Sequence, residues 1–269
     1  MSRCMETDLR GLGEGGGAEE WDDVLASWTP SRGTTFLRRY SDAVNGSLVR
    51  EWLSPYEGLR VLKTDLFDEA VGEGIYPALR EHAAQVVGID VSAAVLAAAA
   101  QRFPDLEVRQ ADVRKLEFAD CSFDAVLSNS TLDHFRSLDD VGTALRELRR
   151  VLVPKGRLLV TLDNGGNPLI AARNALPNTL LTRTGLTPYP TGLTCGRRGL
   201  ARMLARADFE VEAWRAIMHF PRPLARALAA VGGQAPSTLL RAVLAAEVLA
   251  KAPTRYVTGQ FVGAVARRA

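Results

Sequence analysis

The sequence predicts an α/β fold built on a mostly parallel sheet, and three observations predict it. Short runs of valine, leucine and isoleucine alternate with longer helical patterns at the interval that βαβ units require. Several of those runs end on a polar side chain, as in Val86-Val87-Gly88-Ile89-Asp90-Val91, Asp112-Val113 beyond residues 106–110, and Asn129 beyond residues 123–128. The chain is also long enough, with 269 residues of which 47% are hydrophobic, to enclose one large core with insertions.

Residues 11–20 are glycine-rich and acidic with little to bury, so 1–20 is expected to be a disordered tail and 21–269 a single domain. Between residues 21 and 53, Trp28, Phe36, Leu37, Tyr40, Val44 and Leu48 recur at helical spacings, which suits helices laid over the mouth of a sheet. A first strand over 59–64 and a helix over 75–82 follow, then a strand over 84–90 and a helix that Ser92 begins as N-cap. Residues 106–110 and 123–128 supply two more strands. Ser137-Leu138-Asp139-Asp140 fits a capping box ahead of a helix whose apolar face is Leu138, Val141, Leu145, Leu148 and Leu152. Pro154-Lys155-Gly156 ends that helix, and 157–162 is a fifth strand. Beyond Asp163 the periodicity breaks. Residues 164–198 hold many glycines and prolines, 209–214 and 260–266 alternate like strands, and 221–255 between them is helical and rich in alanine and leucine.

Composition narrows the function classes. With 33 basic against 31 acidic side chains, the formal charge of +2 gives no whole-molecule argument for nucleic acid or an anionic membrane. Cys4, Cys121 and Cys195 have neither zinc-site spacing nor a disulfide pattern, which points away from a metal and toward a reducing cytoplasm. Secretory-signal features are absent from the start of the sequence, and no run of eighteen apolar residues is uninterrupted. A soluble protein is expected, with room for a peripheral lipid contact.

In a parallel sheet, successive strand ends line one crevice, so Asp90, Asp112 and Asn129 should converge on one nucleoside-shaped ligand. The spacing of Val86–Asp90, Asp112-Val113 and the exit at Asn129 resembles the class I S-adenosylmethionine-dependent methyltransferases, over about residues 58–164. That resemblance implies a Rossmann-like fold with a mostly parallel seven-stranded sheet, helices on both faces, and a helical cap over 164–200 and 221–255 that binds the acceptor. It also implies S-adenosylmethionine as cofactor, with Asp90 at the ribose, Val91 beside it among the cofactor-binding residues, and Asp112 and Val113 at the adenine. The family's tight glycine loop after the first strand is replaced here by Val61-Leu62-Lys63-Thr64-Asp65-Leu66-Phe67-Asp68-Glu69-Ala70-Val71-Gly72-Glu73-Gly74. Gly74 lies sixteen positions before Asp90, close to the family's separation, so residues 66–71 read as a short insertion that displaces Gly72 and Gly74 toward the helix start. Asp65 could meet the cofactor's ammonium or simply structure the loop. Lys63 could pair with Asp65, Glu69 or a ligand carboxylate.

At the fourth strand's exit, Asp133 and His134 are the candidates for a general base, set against a plain polar helix start. An aromatic pocket could draw on Phe135, Tyr189, Trp214, His219 or Phe220, and Arg197, Arg198, Arg202 and Arg206 form either an anion site or a solvated face. The reading is a methyltransferase acting on oxygen, nitrogen or carbon of a small molecule, with no nucleic-acid partner since base-stacking aromatics and basic grooves are not evident. The eroded glycine loop keeps an inactive binding or scaffold protein open, as well as other chemistry on the same cofactor. A nicotinamide oxidoreductase is disfavoured because no G-x-G-x-x-G follows the first strand.

Overall fold

A computed structural model of the chain describes residues 17–183, 187, 191–231 and 237–269. Tyr189 and Cys4 lie outside the described residues. Helix α1 (Ala18–Ser27) begins within the glycine-rich stretch, three residues before Trp21, and α2 (Arg32–Leu53) follows a capping box in which Ser31 and Thr34 exchange hydrogen bonds. The strands are β1 (Leu59–Lys63), β2 (Ala83–Asp90), β3 (Glu107–Gln110), β4 (Phe123–Asn129), β5 (Leu152–Asp163), β6 (Phe209–Ile217) and β7 (Phe261–Arg268). Seven strands form one sheet in the order β3-β2-β1-β4-β5-β7-β6, with β7 antiparallel to both neighbours and the first five parallel.

The central strands are buried on both faces, which is why they read as continuous apolar runs. Val61, Val86, Ala125 and Leu159 point into a core shared with α2, α4 (Tyr76–Arg80) and α5 (Ala93–Arg102). Leu62, Val87, Val126 and Leu158 point the other way, against α6 (Leu138–Val151) and α9 (Arg197–Arg206). One residue of offset along each strand thus separates the two layers.

The 66–71 insertion is not an open loop. It folds into α3 (Phe67–Val71), a single short helix that buries Phe67 and Glu69. The helix expected over 75–82 shrinks to α4, with β2 starting at Ala83. Of the capping box at Ser137, half is present: Ser137 Oγ accepts from the Asp139 amide, but Asp140 turns to Arg114 at 3.3 Å. The guanidinium attracts that carboxylate more strongly than a neutral amide does.

Past β5 the cap contains α7 (Pro168–Asn174) and α8 (Asn178–Arg183), then α10 (Arg222–Val231) and α11 (Ser237–Leu244) between β6 and β7. Asn167 caps α7 by accepting from the Leu169 and Ile170 amides, and its own amide group holds the Thr258 and Gly259 carbonyls. One side chain therefore ties the start of the cap to the start of β7. Among the described residues, no helix is long and apolar enough to cross a membrane.

Candidate functional site

A cavity of about 1010 Å³ opens at the carboxyl ends of β1, β2 and β4. The sheet order reverses between β1 and β4, the place where open α/β sheets form a ligand crevice. Asp65, Asp90, Val91, Asp112, Val113 and Asn129 all line it, as does His134. Those seven expected residues come together.

Asp90 is buried, and its two oxygens accept from different backbone amides, Ser92 at 3.0 Å and Leu66 at 2.9 Å. Burial pushes its carboxyl up to about 6, against the two amides and Lys63, while the Asp65 charge adds to the rise. Each oxygen keeps a second lone pair for a ligand hydroxyl. Gly88 makes the neighbouring turn possible: a Cβ there would fall 2.7 Å from Leu66, so the glycine admits the residue that donates to Asp90.

Asp112 is engaged by Arg114, whose guanidinium lies 2.6 Å away and stacks over Phe135 at 5.2 Å. Burial works to raise the Asp112 carboxyl, but hydrogen bonds and charge from Arg114 hold it below its ordinary value. With its carboxylate so committed, Val113, buried on the cavity wall, supplies apolar surface beside it. Asn129 accepts from Thr161 Oγ1 at 2.7 Å, which leaves its amide group to face the cavity.

The end of β1 departs from expectation. Gly72 and Gly74 are off the cavity wall. Gly74 adopts φ +60, and a Cβ on it would meet the Glu69 carboxylate at 2.3 Å, so its smallness admits a side chain and not a ligand. Glu69 is fully buried, accepts from the Ile75 and Tyr76 amides at 2.9 and 3.1 Å, and forms an ion pair with Lys63 at 2.8 Å. Lys63, also buried, lies 3.7 Å from Asp65 and donates to the Asp65 carbonyl. Burial works to lower the lysine, and the charges of Asp65, Glu69 and Asp90 more than reverse it, so it stays cationic. A fixed ion pair thus shapes this turn where glycines were expected. Above it, Thr131 Oγ1 lies 2.7 Å from Thr64 Oγ1 and 3.2 Å from the Asp65 carboxylate, bridging β1 and β4 across the switch point.

Asp133 is also off the wall. Its Oδ2 accepts from Ser130 Oγ and the Asp163 amide, each at 2.9 Å, so it braces the β4 exit against the end of β5. Burial raises this carboxyl, with His134 opposing and Asp163 adding. Only His134 of the two base candidates reaches the cavity, with its ring edge-on to Trp21 at 4.8 Å.

Of the expected aromatic pocket, Phe135 alone is on the wall among the described residues. His219 is buried between Thr258 and the Ala216 carbonyl, and Trp214 stacks under Arg197. The Arg197–Arg206 cluster belongs to α9 and does not line the cavity. The helices expected over the mouth of the sheet place Trp21 and Trp28 on the wall, and both rings pack at 5.5–5.6 Å on Phe67 of α3, a residue the sequence did not single out. The two tryptophans seven residues apart, one on α1 and one just past it, were the available signal. The cap expected over 164–200 and 221–255 adds to the wall through Leu169, Leu176, Arg222 and Arg226, which the sequence did not single out.

Residues 67–160 match the methyltransferase domain family, from α3 through the middle of β5. Over those residues the chain is similar to the S-adenosylmethionine-dependent methyltransferases. A demethylmenaquinone methyltransferase of Thermotoga maritima is 36% identical over 105 residues, covering 38% of this chain and 44% of that protein. The chain spans about half or less of the length of the curated relatives it matches first, 40–48% of each. A methyltransferase structure from Mesorhizobium loti aligns over 82% of this chain and 96% of that one, with 20% identity and a TM-score of 0.56. A geranyl diphosphate methyltransferase structure, holding its substrate and sinefungin, aligns over 84% and 78% with 15% identity and a TM-score of 0.56. The methyltransferase domain shares its fold with both. Its strand-end acids fit a nucleoside ligand, since Asp90 offers buried acceptor lone pairs beside the apolar surface of Val91 and Val113.

Proposed function

We propose that the methyltransferase domain moves a methyl group from S-adenosylmethionine to a small, largely apolar acceptor. The observation that carries this reading is the continuity of one cavity from the strand ends to the cap, whose walls there include Leu169, Ile170, Leu181, Pro223 and Phe261. At about 1010 Å³ it reaches the upper end of the usual range for ligand sites, enough for two ligands side by side. The Thermotoga relative and the geranyl diphosphate enzyme both carry names of acceptors with a prenyl chain, which supports an acceptor with a large apolar part here.

In this reading Asp90 holds the ribose hydroxyls, Val91 and Val113 flank the adenine, and Asp65 attracts the ammonium with Asn129 beside it. When bound, S-adenosylmethionine supplies an electrophilic methyl group on a sulfonium. The chain's own work is positioning: Thr64 and Thr131 hold the floor, while Trp21, Trp28 and Phe67 exclude water from above. His134 is placed on the wall to take a proton from an acceptor that has one to lose. Cytoplasmic residence is part of the reading.

Calorimetry with S-adenosylhomocysteine, S-adenosylmethionine and NAD tests it. The first two should bind and NAD should not. Absence of heat and of any thermal shift with millimolar S-adenosylhomocysteine would favour the scaffold alternative. With an acceptor whose methylation turns S-adenosylmethionine into S-adenosylhomocysteine, His134→Gln should lower kcat while leaving donor affinity within a few fold; unchanged turnover removes His134 from the chemistry.

A further inference from the structure

The charge of the chain is divided between its two parts. The first 163 residues carry 27 acidic against 19 basic side chains, whereas residues 164–269 carry 14 basic against 4 acidic. No acid occurs between Asp163 and Asp208, nor between Glu212 and Glu247. Those two stretches hold α7, α8, α9, α10 and α11.

In α10, of the side chains over 222–230, Ala225 and Ala229 are the buried ones, on the side packed against α2. Pro223, Leu224, Ala227, Leu228 and Ala230 are exposed, and the helix's only charged side chains are Arg222 and Arg226. Leu224 and Leu228, one turn apart, are 49% and 41% exposed. Across the cavity, Leu169, Leu176 and Leu180 are exposed on and around α7 and α8, and the exposed Arg183 ends α8. Leu169, Leu176, Pro223 and Ala227 are at once exposed and on the cavity wall, so they mark the opening of the cavity to its surroundings. Arg226, Ser27 and Thr29 are exposed on the same wall, and among the described residues no exposed acid lines it.

We propose that this outer face of α7, α8 and α10 docks on an anionic lipid bilayer and sets the cavity mouth against the membrane. Helices with apolar side chains on one face and arginines beside them lie in the headgroup region, where buried apolar area and attraction to anionic lipid act together. A second copy of this chain fits the face poorly, because a symmetric contact sets arginine against arginine with no acid on these helices to pair them. Docking is a property of the surface and stands apart from whether methyl transfer occurs.

Co-sedimentation of the full chain with vesicles tests it, using phosphatidylcholine alone and phosphatidylcholine with about one third phosphatidylglycerol. Binding is expected on the anionic vesicles, little on the neutral ones, with release at high salt. The double variant Leu224→Ser, Leu228→Ser should lower partitioning roughly tenfold with its thermal melt unchanged, since both side chains are exposed. Arg183→Gln should weaken binding on the anionic vesicles only. Absence of binding to either vesicle overturns the proposal, as does binding that neither substitution alters. A dimer in sedimentation velocity that the double serine variant makes monomeric, without vesicle binding, would assign the face to a second copy.

Discussion

The ends of β1 and β2 lie side by side in the sheet, yet they build the cavity floor by opposite means. At β2 a single acid, Asp90, is held by two backbone amides and left with lone pairs directed to the cavity. At β1 a lysine and a glutamate, Lys63 and Glu69, are buried against each other and neither lines the cavity. The first arrangement leaves polar capacity for a ligand; the second consumes it internally and offers a rigid turn. A crevice can thus keep its shape after a glycine loop is lost, provided an internal ion pair replaces the close backbone packing the glycines allowed.

The largest effect should come from breaking the β1 pair. Lys63→Met leaves Glu69 buried without a counter-charge and should cost about 3–5 kcal/mol of stability, read by urea denaturation. The double variant Lys63→Met, Glu69→Gln, which keeps an acceptor for the Ile75 and Tyr76 amides, should recover most of that loss. A single variant as stable as the parent would mean that the pair does not hold the turn.

Next in size, Asp90→Ala should weaken S-adenosylhomocysteine binding by about 1.5–3 kcal/mol, measured by calorimetry. Because burial raises this carboxyl to about 6, affinity in the parent should fall as pH drops through that value and the carboxylate takes up a proton. The alanine variant should lose that dependence. Equal affinity of parent and variant would break the contrast between the strand ends at its β2 side.

Beside the β1 turn, Asp42 on α2 has its carboxyl raised to about 7, chiefly by burial, with Arg38 opposing and Glu69 and Glu73 adding. The folded chain therefore keeps a proton that the unfolded chain releases near its ordinary value of about 4. Stability should decline as pH climbs from about 4 to about 7 and level off above. Asp42→Asn should flatten that decline, by on the order of 1 kcal/mol, in melts taken across the window. An unchanged slope would remove Asp42 from the account.

The smallest effect concerns Asp65, which shares Lys63 yet lines the cavity. Asp65→Asn should reduce S-adenosylmethionine affinity more than that of an analogue lacking the amino group, by about 0.5–1 kcal/mol. Equal losses would make Asp65 a member of the β1 scaffold, like Glu69.

The sequence was most readable where function and packing use the same local signal. Asp90 closes an apolar strand and is followed at once by an N-cap serine, so strand, turn and helix announce one another. The β1 turn was misread because Gly-Glu-Gly has two structural uses, and only the burial of Glu69, six residues from Lys63 and far from water, selects between them. Asp133 was expected on the wall beside His134, but in the turn of 3-10 helix over Leu132–His134 adjacent side chains point apart. Helical spacing announced that residues 21–53 cover the sheet mouth, but which α10 side chains reach the cavity depends on contacts across much of the chain, which no local periodicity encodes.

Asp22 of α1 accepts from the Ser92 hydroxyl, while Ser92 in turn accepts from the Val95 amide. The roofing helix is thereby moored to the first turn of α5, beside the acid that closes β2. A molecule seated on that acid shares the cavity with the Trp21 ring, which packs on Phe67 and His134. We expect dwell time in the cavity to follow α1, and equilibrium strength the sheet. Loosening Asp22 should quicken both arrival and departure with little change in their ratio, so the molecule has separate controls for how tightly it holds and for how long.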